Sequence, residues 1–448
     1  MRNRVWDLFL NIMDLTIQEA VLESKRCLNC KAPQCVKGCP VGNEIPRWVH
    51  ALSMGNFGEA MDIINIHSNL PAVCSRVCAH ERQCEGHCVL GKKGDPLRIG
   101  ALERFISQFD ADINLSRETI PCKDKGRVAV IGSGPAGLTV AGVLARRGYD
   151  VEIFEREPQP GGMLMFGIPE YRLPKEVVQN EIEKIAHLGV KINCDVTVGV
   201  DMTVDDMFDD GYDAIFIGTG TAKPRRLDFP GSNLPAIGQA IFFLSRFQLY
   251  LSGYIIRDEM IVKEGSRVVI VGCGNTAMDA ARTALRVGAS KVTVMYRKTI
   301  DEMSALKSEY NDAVEEGVEF MWNTNITAVN SSNGRTIDNI DILVDGKPEQ
   351  FEADVILFAV GSVPASRIVS TTDGIEVDDK GFILIRENPY GMTTRKGVFA
   401  AGDVTKQPAT VVHAMRDAQM VAESICQYVD AVNLLREIDR PGSNLKTI

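Results

Sequence analysis

No run in this 448-residue chain is long and apolar enough to predict a membrane-spanning helix, and no basic excess is present to attract nucleic acid or an anionic lipid surface. The formal charge is −10, from 49 Lys and Arg against 59 Asp and Glu. Small molecules and other proteins are therefore the expected partners, with no nucleic acid and no membrane among them. Low-complexity tracts and solenoid-length repeats are missing too, which excludes a repeat array. A working secretion signal is also lacking. Arg2 and Arg4 precede an apolar stretch, but Asp7, Asn11 and Asp14 interrupt it and no small-residue cleavage site follows. Met1 to Leu15 reads instead as a short amphipathic helix, and a cytoplasmic, reducing location is expected.

What is present is an ordinary globular composition, 45% apolar and 24% charged, in a chain too long for one core. Two to four domains are expected. The 12 cysteines are spread unevenly. Cys27, Cys30, Cys35, Cys39, Cys74, Cys78, Cys84 and Cys88 fall early, whereas Cys122, Cys194, Cys273 and Cys426 are scattered and read as buried small apolar residues. Early clustering in a reducing compartment points to metal or cluster ligation rather than to disulfides.

Helical stretches such as Thr16 to Arg26 and Pro46 to Met54 alternate with the cysteine loops, without a strand pattern. The polar segment Asp110 to Gly126 ends that region. From Arg127 the pattern becomes strand, glycine turn, helix, strand, and it recurs from Arg267 to Met295. The first turn, Gly132-Ser133-Gly134-Pro135-Ala136-Gly137, satisfies G-x-G-x-x-G after a strand and opening a helix. Its glycines let backbone N–H groups approach a pyrophosphate, and Glu155 at the next strand tip offers an acceptor for a ribose hydroxyl. In the second turn, Gly272-Cys273-Gly274-Asn275-Thr276-Ala277, alanine takes the third glycine position, and the strand tip carries Arg297 and Lys298 in place of an acid. Two cations there suit a 2′-phosphate. An acidic tip followed by a basic tip implies FAD first and NADPH second. NADH is the alternative, because Thr299-Ile300-Asp301 brings no further cation. Hydride transfer between the two cofactors requires no acid–base residue, and none is assigned. Neither unit holds a C-x-x-C, so disulfide reduction is not expected.

Cys27-x2-Cys30-x4-Cys35-x3-Cys39-Pro40 resembles a ferredoxin run in which three thiolates serve one cluster and a fourth serves another. Cys78, Cys84 and Cys88 add three more. Seven thiolates fall one short of two all-cysteine clusters, so Cys74 or a non-cysteine ligand completes the set. Structural zinc in a flavoprotein or an assembly scaffold is the competing reading.

These motifs, with Leu70-Pro71-Ala72-Val73-Cys74-Ser75-Arg76-Val77-Cys78, Gln83-Cys84-Glu85-Gly86-His87-Cys88, Gly161-Gly162-Met163-Leu164, Ile168-Pro169, Arg172-Leu173-Pro174 and Ala401-Gly402-Asp403, carry a family resemblance over nearly all of residues 16 to 430. The chain resembles the small (beta) chain of NADPH-dependent glutamate synthase and its relatives, which include the N-terminal half of dihydropyrimidine dehydrogenase and the large subunit of the NADH-dependent reduced ferredoxin:NADP oxidoreductase. The resemblance implies an α+β multidomain fold. A helical iron–sulfur domain (1–122) would precede two Rossmann-like domains of the glutathione-reductase type, an FAD domain (123–226 and 368–448) and, inserted in it, an NAD(P)H domain (227–367).

It further implies two [4Fe-4S] clusters, an outer one on Cys27, Cys30, Cys35 and Cys88 and an inner one on Cys39, Cys78, Cys84 and Glu103. Gly162, Leu164, Arg172, Gly361, Gly402 and Asp403 would join the nucleotide sites. Electrons would pass from NADPH through FAD and the clusters to a second redox subunit in a hetero-oligomer, either a glutamate synthase large chain or a ferredoxin- or flavin-carrying subunit. The same wiring run in reverse or in an electron-bifurcating complex is the alternative. The chain has no room for the glutaminase and FMN-barrel domains of glutamate synthesis beside three small domains. It departs from its relatives at Ala79, usually proline, and at Ala414-Met415-Arg416-Asp417-Ala418-Gln419, which replaces a glycine-containing helix start near the flavin.

Overall fold

Local signals set the element boundaries. Thr16 caps the helix Ile17–Ser24, its hydroxyl accepting from the Glu19 N–H while the Glu19 carboxylate accepts from the Thr16 N–H. Pro46 and Pro71 open the helices Ile45–Ser53 and Pro71–Val77, where a missing N–H costs nothing. β-branched runs such as Arg127–Ile131 and Arg267–Val271 form buried strands. The computed structural model describes residues 15–113, 119–221, 223–365, 367–406 and 410–439. All but the last residue of the helix expected over Met1 to Leu15, and residues 114–118 of the expected polar connector, lie outside the described residues.

The described residues divide into two compact units. One comprises Met165–Arg172 and Lys223–Ser362, and the other holds the remainder. In the larger unit, helices Ile17–Ser24, Ile45–Ser53, Phe57–His67 and Ile99–Ile113 bury Trp48, Leu52, Met61, Ile64, Leu102 and Ile106, and the partly buried Cys27, Cys35, Cys39 and Cys88 pack on that core. The same unit contains a seven-stranded sheet. Its order is Ile385–Glu387, Tyr390–Thr393, Val398–Ala400, Ala214–Ile217, Arg127–Ile131, Asp150–Phe154, Lys191–Asn193. The last five strands are parallel, and the first two add an antiparallel edge.

The smaller unit has a five-stranded parallel sheet in the order Ile237–Gln239, Val355–Phe358, Arg267–Val271, Lys291–Met295, Glu319–Met321. A three-stranded antiparallel sheet, Thr324–Asn330, Asn339–Val344 and Lys347–Phe351, completes it. In each parallel sheet the first strand of the motif lies between neighbours reached in opposite directions. That arrangement opens a crevice at its carboxyl end, where α/β sheets bind ligands. Among the described residues no helix is long and apolar enough to cross a membrane.

Candidate functional site

At the first crevice, Gly132 leaves the strand with φ +95° and the helix Pro135–Arg146 begins two residues later. A Cβ on Gly137 would lie 1.9 Å from the Gly132 carbonyl oxygen, so the turn and helix can approach only with glycine there. Gly134 is different. Its φ is −68°, and an added Cβ would meet nothing within 4 Å. The open ground above Gly134 faces the unpaired N–H groups of the helix start, which gives it the character of an anion cradle. Two other segments meet this turn: a Cβ on Gly162 would touch Gly134 Cα at 2.9 Å, and one on Gly402 would touch Ala136 Cβ at 3.3 Å. Leu164 is buried, with its carbonyl accepting from Lys175 Nζ at 2.9 Å, and Asp403 is half-buried beside Gly402. Glu155 is buried at the neighbouring strand tip. It accepts from the Ser133 N–H at 2.9 Å, the Ser133 hydroxyl, and the Glu157 N–H at 3.0 Å, so it also ties the glycine turn to the strand.

The second crevice repeats the design. Gly272 has φ +119°, and its absent Cβ would stand 2.4 Å from the Ala359 oxygen. Gly274 caps the helix Asn275–Val287, with Thr276 exposed and Ala277 buried. Asn275 Oδ1 accepts from the Leu306 N–H at 2.9 Å. Gly361, also at positive φ, accepts from the Arg225 N–H at 2.9 Å. At the strand tip Arg297 is exposed, whereas Lys298 Nζ lies 2.9 Å from Glu302 Oε1. The hydrogen bond that Lys298 donates to Glu302, and the charge of that carboxylate, hold the lysine ammonium above its ordinary pKa. Glu302 was not legible as part of this site in the sequence, although the i, i+4 spacing from Lys298 signals the pair.

Arg172 belongs to the smaller unit. Its guanidinium lies 2.8 Å from Asp279 Oδ2 and 2.9 Å from Glu309 Oε1. Beside it, Arg282 and Arg286 lie over the Tyr171 ring at 4.6 and 4.1 Å. Arg416, the bulky departure near the expected flavin, turns its guanidinium onto Asp417 at 2.9 Å, and Lys406 pairs with the same carboxylate. Of the four scattered cysteines, Cys273 and Cys426 are buried as expected, but Cys122 is exposed and Cys194 is half-exposed. Cys122 falls in the irregular connector before Arg127 and Cys194 just past a three-residue edge strand, where no layer covers them.

The early cysteines separate into two groups in the larger unit. Cys27 senses the charges of Cys30 and Cys88, and Cys35 those of Cys27 and Cys88. Burial raises both thiols, Cys35 to about 11. Cys39, Cys74, Cys78, Cys84 and Glu103 instead line one cavity. There the hydrogen bond with Cys74, and then burial, raises Cys78; burial raises Cys39 and Cys84, and pushes the Glu103 carboxyl up to about 8 with the Glu181 charge adding to it. Such groups are costly to ionise unless a cation compensates them.

The cavity passes a test of fit on its uncharged atoms too. Asn43 Oδ1, Trp48 Nε1, Ser68 Oγ and His80 Nε2 all line it, are buried, and have no hydrogen-bond partner among the described residues. Buried polar groups in native proteins are rarely left so, and the Trp48, Ser68 and His80 groups, each able to donate, fit an occupant that accepts hydrogen bonds. Among the described residues no three His, Cys, Asp or Glu side chains converge on a single-ion site.

Comparison with known proteins gives the same division. Residues 126–418 match the family model for pyridine nucleotide-disulphide oxidoreductases, and residues 9–114 match that for dihydropyrimidine dehydrogenase domain II, 4Fe-4S cluster. The chain is 35% identical over 436 residues to the glutamate synthase [NADPH] small chain of Halomonas elongata, covering 92% of this chain and 91% of that one. It is 36% identical over 437 residues to the NADP(+)-dependent formate dehydrogenase subunit beta of Moorella thermoacetica, covering 88% of this chain and 60% of that one. Among solved structures, Lactococcus lactis thioredoxin reductase superposes with a TM-score of 0.53 at 22% identity, covering 68% of this chain and 99% of that one, which is a likeness of fold.

Proposed function

The chain belongs to the glutamate synthase small-chain family of pyridine nucleotide-disulphide oxidoreductases, and from that membership we propose that it is the electron-input subunit of a multi-subunit redox complex, an NADPH oxidoreductase carrying FAD and two [4Fe-4S] clusters. The observation that carries this reading is the coexistence of two glycine-turn crevices with a thiolate-lined cavity whose buried polar atoms lack partners. The cofactors supply the chemistry: nicotinamide delivers a hydride, flavin converts the pair into single electrons, and the clusters conduct them. The protein's part is placement.

Gly132, Gly134, Pro135, Ala136, Gly137, Gly162, Leu164, Gly402 and Asp403 form the flavin cradle, with Glu155 as the ribose acceptor. Gly272, Gly274, Asn275, Thr276, Ala277 and Gly361 form the NADPH cradle, and Arg297 and Lys298 attract the 2′-phosphate. Arg172, which also pairs with Asp279 and Glu309, is kept in the flavin set as the family resemblance implies. Cys27, Cys30, Cys35 and Cys88 hold the outer cluster; Cys39, Cys78, Cys84 and Glu103 hold the inner one. The partner is a second redox subunit of the glutamate synthase large-chain kind. The Moorella relative, named as a formate dehydrogenase subunit, favours a second reading in which the same module serves a different acceptor.

The test is to purify the chain anaerobically and measure iron, acid-labile sulfide and zinc, then NADPH-dependent reduction of an artificial acceptor, and glutamate formation from 2-oxoglutarate and glutamine. Iron and sulfide in equal amounts, acceptor reduction and no glutamate are expected. Zinc without sulfide, or glutamate made by this chain alone, overturns the reading.

A further inference from the structure

Trp48 and Ser68 come from different helices of the cysteine-rich region. Trp48 lies within Ile45–Ser53, and Ser68 directly follows Phe57–His67. Their side chains are sealed from solvent, at 1% and 2% exposure. The indole N–H can only donate, and no acceptor for it exists among the described residues; the Ser68 hydroxyl is likewise unpartnered. A buried donor with nothing to bond loses its hydration without return. Both nevertheless line the cavity formed by Cys39, Cys78, Cys84 and Glu103. Ring and hydroxyl are placed as if the acceptor arrives with the occupant.

We propose that Trp48 Nε1–H and Ser68 Oγ–H donate hydrogen bonds to sulfur atoms of the inner cluster and set its reduction potential upward. This rests on the iron–sulfur reading of the cavity. A reduced cluster carries one more negative charge than an oxidised one, so an N–H or O–H donor bonds it more strongly and favours reduction. The backbone already contributes in the same direction, since the Val41 and Asn43 N–H groups bond the Cys39 sulfur. Trp48 and Ser68 extend that donor shell, making them positioning residues that tune the cluster without ligating it. The consequence is directional. An inner cluster with a raised potential withdraws electrons from the flavin more readily, and loss of either donor makes that withdrawal harder.

The experiment is an EPR-monitored redox titration of the anaerobic full-length holoprotein and of Trp48→Phe and Ser68→Ala. Phenylalanine keeps an aromatic ring and deletes the N–H; alanine deletes only the hydroxyl. Each variant is expected to retain both clusters and FAD and to lower the inner midpoint by about a three- to tenfold change in the reduced-to-oxidised ratio, tenfold being 59 mV for one electron. The outer midpoint should not move. Unshifted inner midpoints in both variants, or equal shifts in both clusters, overturn the proposal while leaving the clusters themselves in place. So does loss of the inner cluster from Trp48→Phe with Ser68→Ala unshifted, because that marks Trp48 as packing. A parent chain without iron and sulfide overturns the functional reading underneath, which is a different result from a bound cluster whose potential does not respond.

Discussion

At the scale of single residues, two sites invite substitution. On the proposed assignment seven cysteines would leave the inner cluster one ligand short, and both Glu103 and Cys74 line the cavity. Cys74 sits one helical turn before Cys78, and its Sγ also lies 3.5 Å from Met415 Sδ, a contact that gives it an apolar role of its own. Glu103 is buried, with its carboxyl raised to about 8 mainly by that burial, and gains most from a neighbouring cation. Glu103→Ala should therefore disturb one of two EPR signals and lower the iron content while FAD is retained, and Cys74→Ala should keep both signals. The opposite pattern would reverse the ligand assignment. At the second strand tip, Lys298 is already partnered by Glu302 whereas Arg297 is exposed, which makes Arg297 the more available cation. Arg297→Glu is expected to cost NADPH about 1.5–3 kcal/mol, roughly ten- to hundredfold in kcat/KM, and NADH far less. Equal losses with both nucleotides would make this tip a structural feature only. The i, i+4 spacing signals the Lys298–Glu302 pair, but the unsatisfied Trp48 could not be read from the sequence, because it depends on where a side chain ends after its element has folded.

At the scale of elements, the glycine turns were the most legible features, because backbone geometry dictates them residue by residue. The two glycines of the first turn nevertheless have separable duties. Gly137→Ala places a methyl 1.9 Å from a carbonyl oxygen and must displace the strand–helix connection, so the protein should lose stability whether or not FAD is bound. Gly134→Ala meets open space at an ordinary φ of −68° and should fold normally, yet its methyl occupies the ground a pyrophosphate needs. The expected results are a lowered melting temperature in the FAD-free form of Gly137→Ala alone, and a loss of FAD binding of at least about tenfold in Gly134→Ala, on the order of one lost charge-assisted hydrogen bond. Melting curves of FAD-stripped protein and flavin titrations check both. An FAD-replete Gly134→Ala with parental affinity would mean that the open ground is not where the phosphates lie. The helices of the cysteine region were legible for another reason. Thr16, Pro46 and Pro71 announce their starts, whereas which cysteine faces which cavity follows from packing around Trp48 and Leu102.

At the scale of the whole molecule, the least legible feature is the membership of Met165–Arg172. These residues lie between two stretches of the larger unit in sequence, yet they belong to the smaller unit together with Lys223–Ser362. No periodicity marks such an exchange; charge does. Arg172 bonds Asp279 and Glu309, Arg282 bonds Glu309, Asp312 and Glu316, and the Arg282 and Arg286 guanidiniums cover the Tyr171 ring. Arg172 is the member whose loss should tell most, because its side chain is 10% exposed and both its partners are at least as well buried or nearly so, at 6% and 14%. Arg172→Met retains much of the volume and removes the cation that Asp279 and Glu309 share, while Glu309 keeps its bond from Arg282. Breaking a buried pair in this way costs about 3–5 kcal/mol. A protein of two units need not unfold in one step, so the loss should appear locally. In hydrogen exchange followed by mass spectrometry, the amides of Asn275–Val287 and Lys307–Glu315 should exchange faster by a factor of about a hundred or more, the equivalent of about 3 kcal/mol. The seven-stranded sheet in the larger unit should keep its protection. Because Asn275–Val287 begins at the second glycine turn, NADPH affinity should fall with that protection even though Arg172 is not a member of the proposed NADPH cradle. Unchanged exchange in the two helices, or an equal loss across both units, would show that the ion cluster does not hold this segment in place.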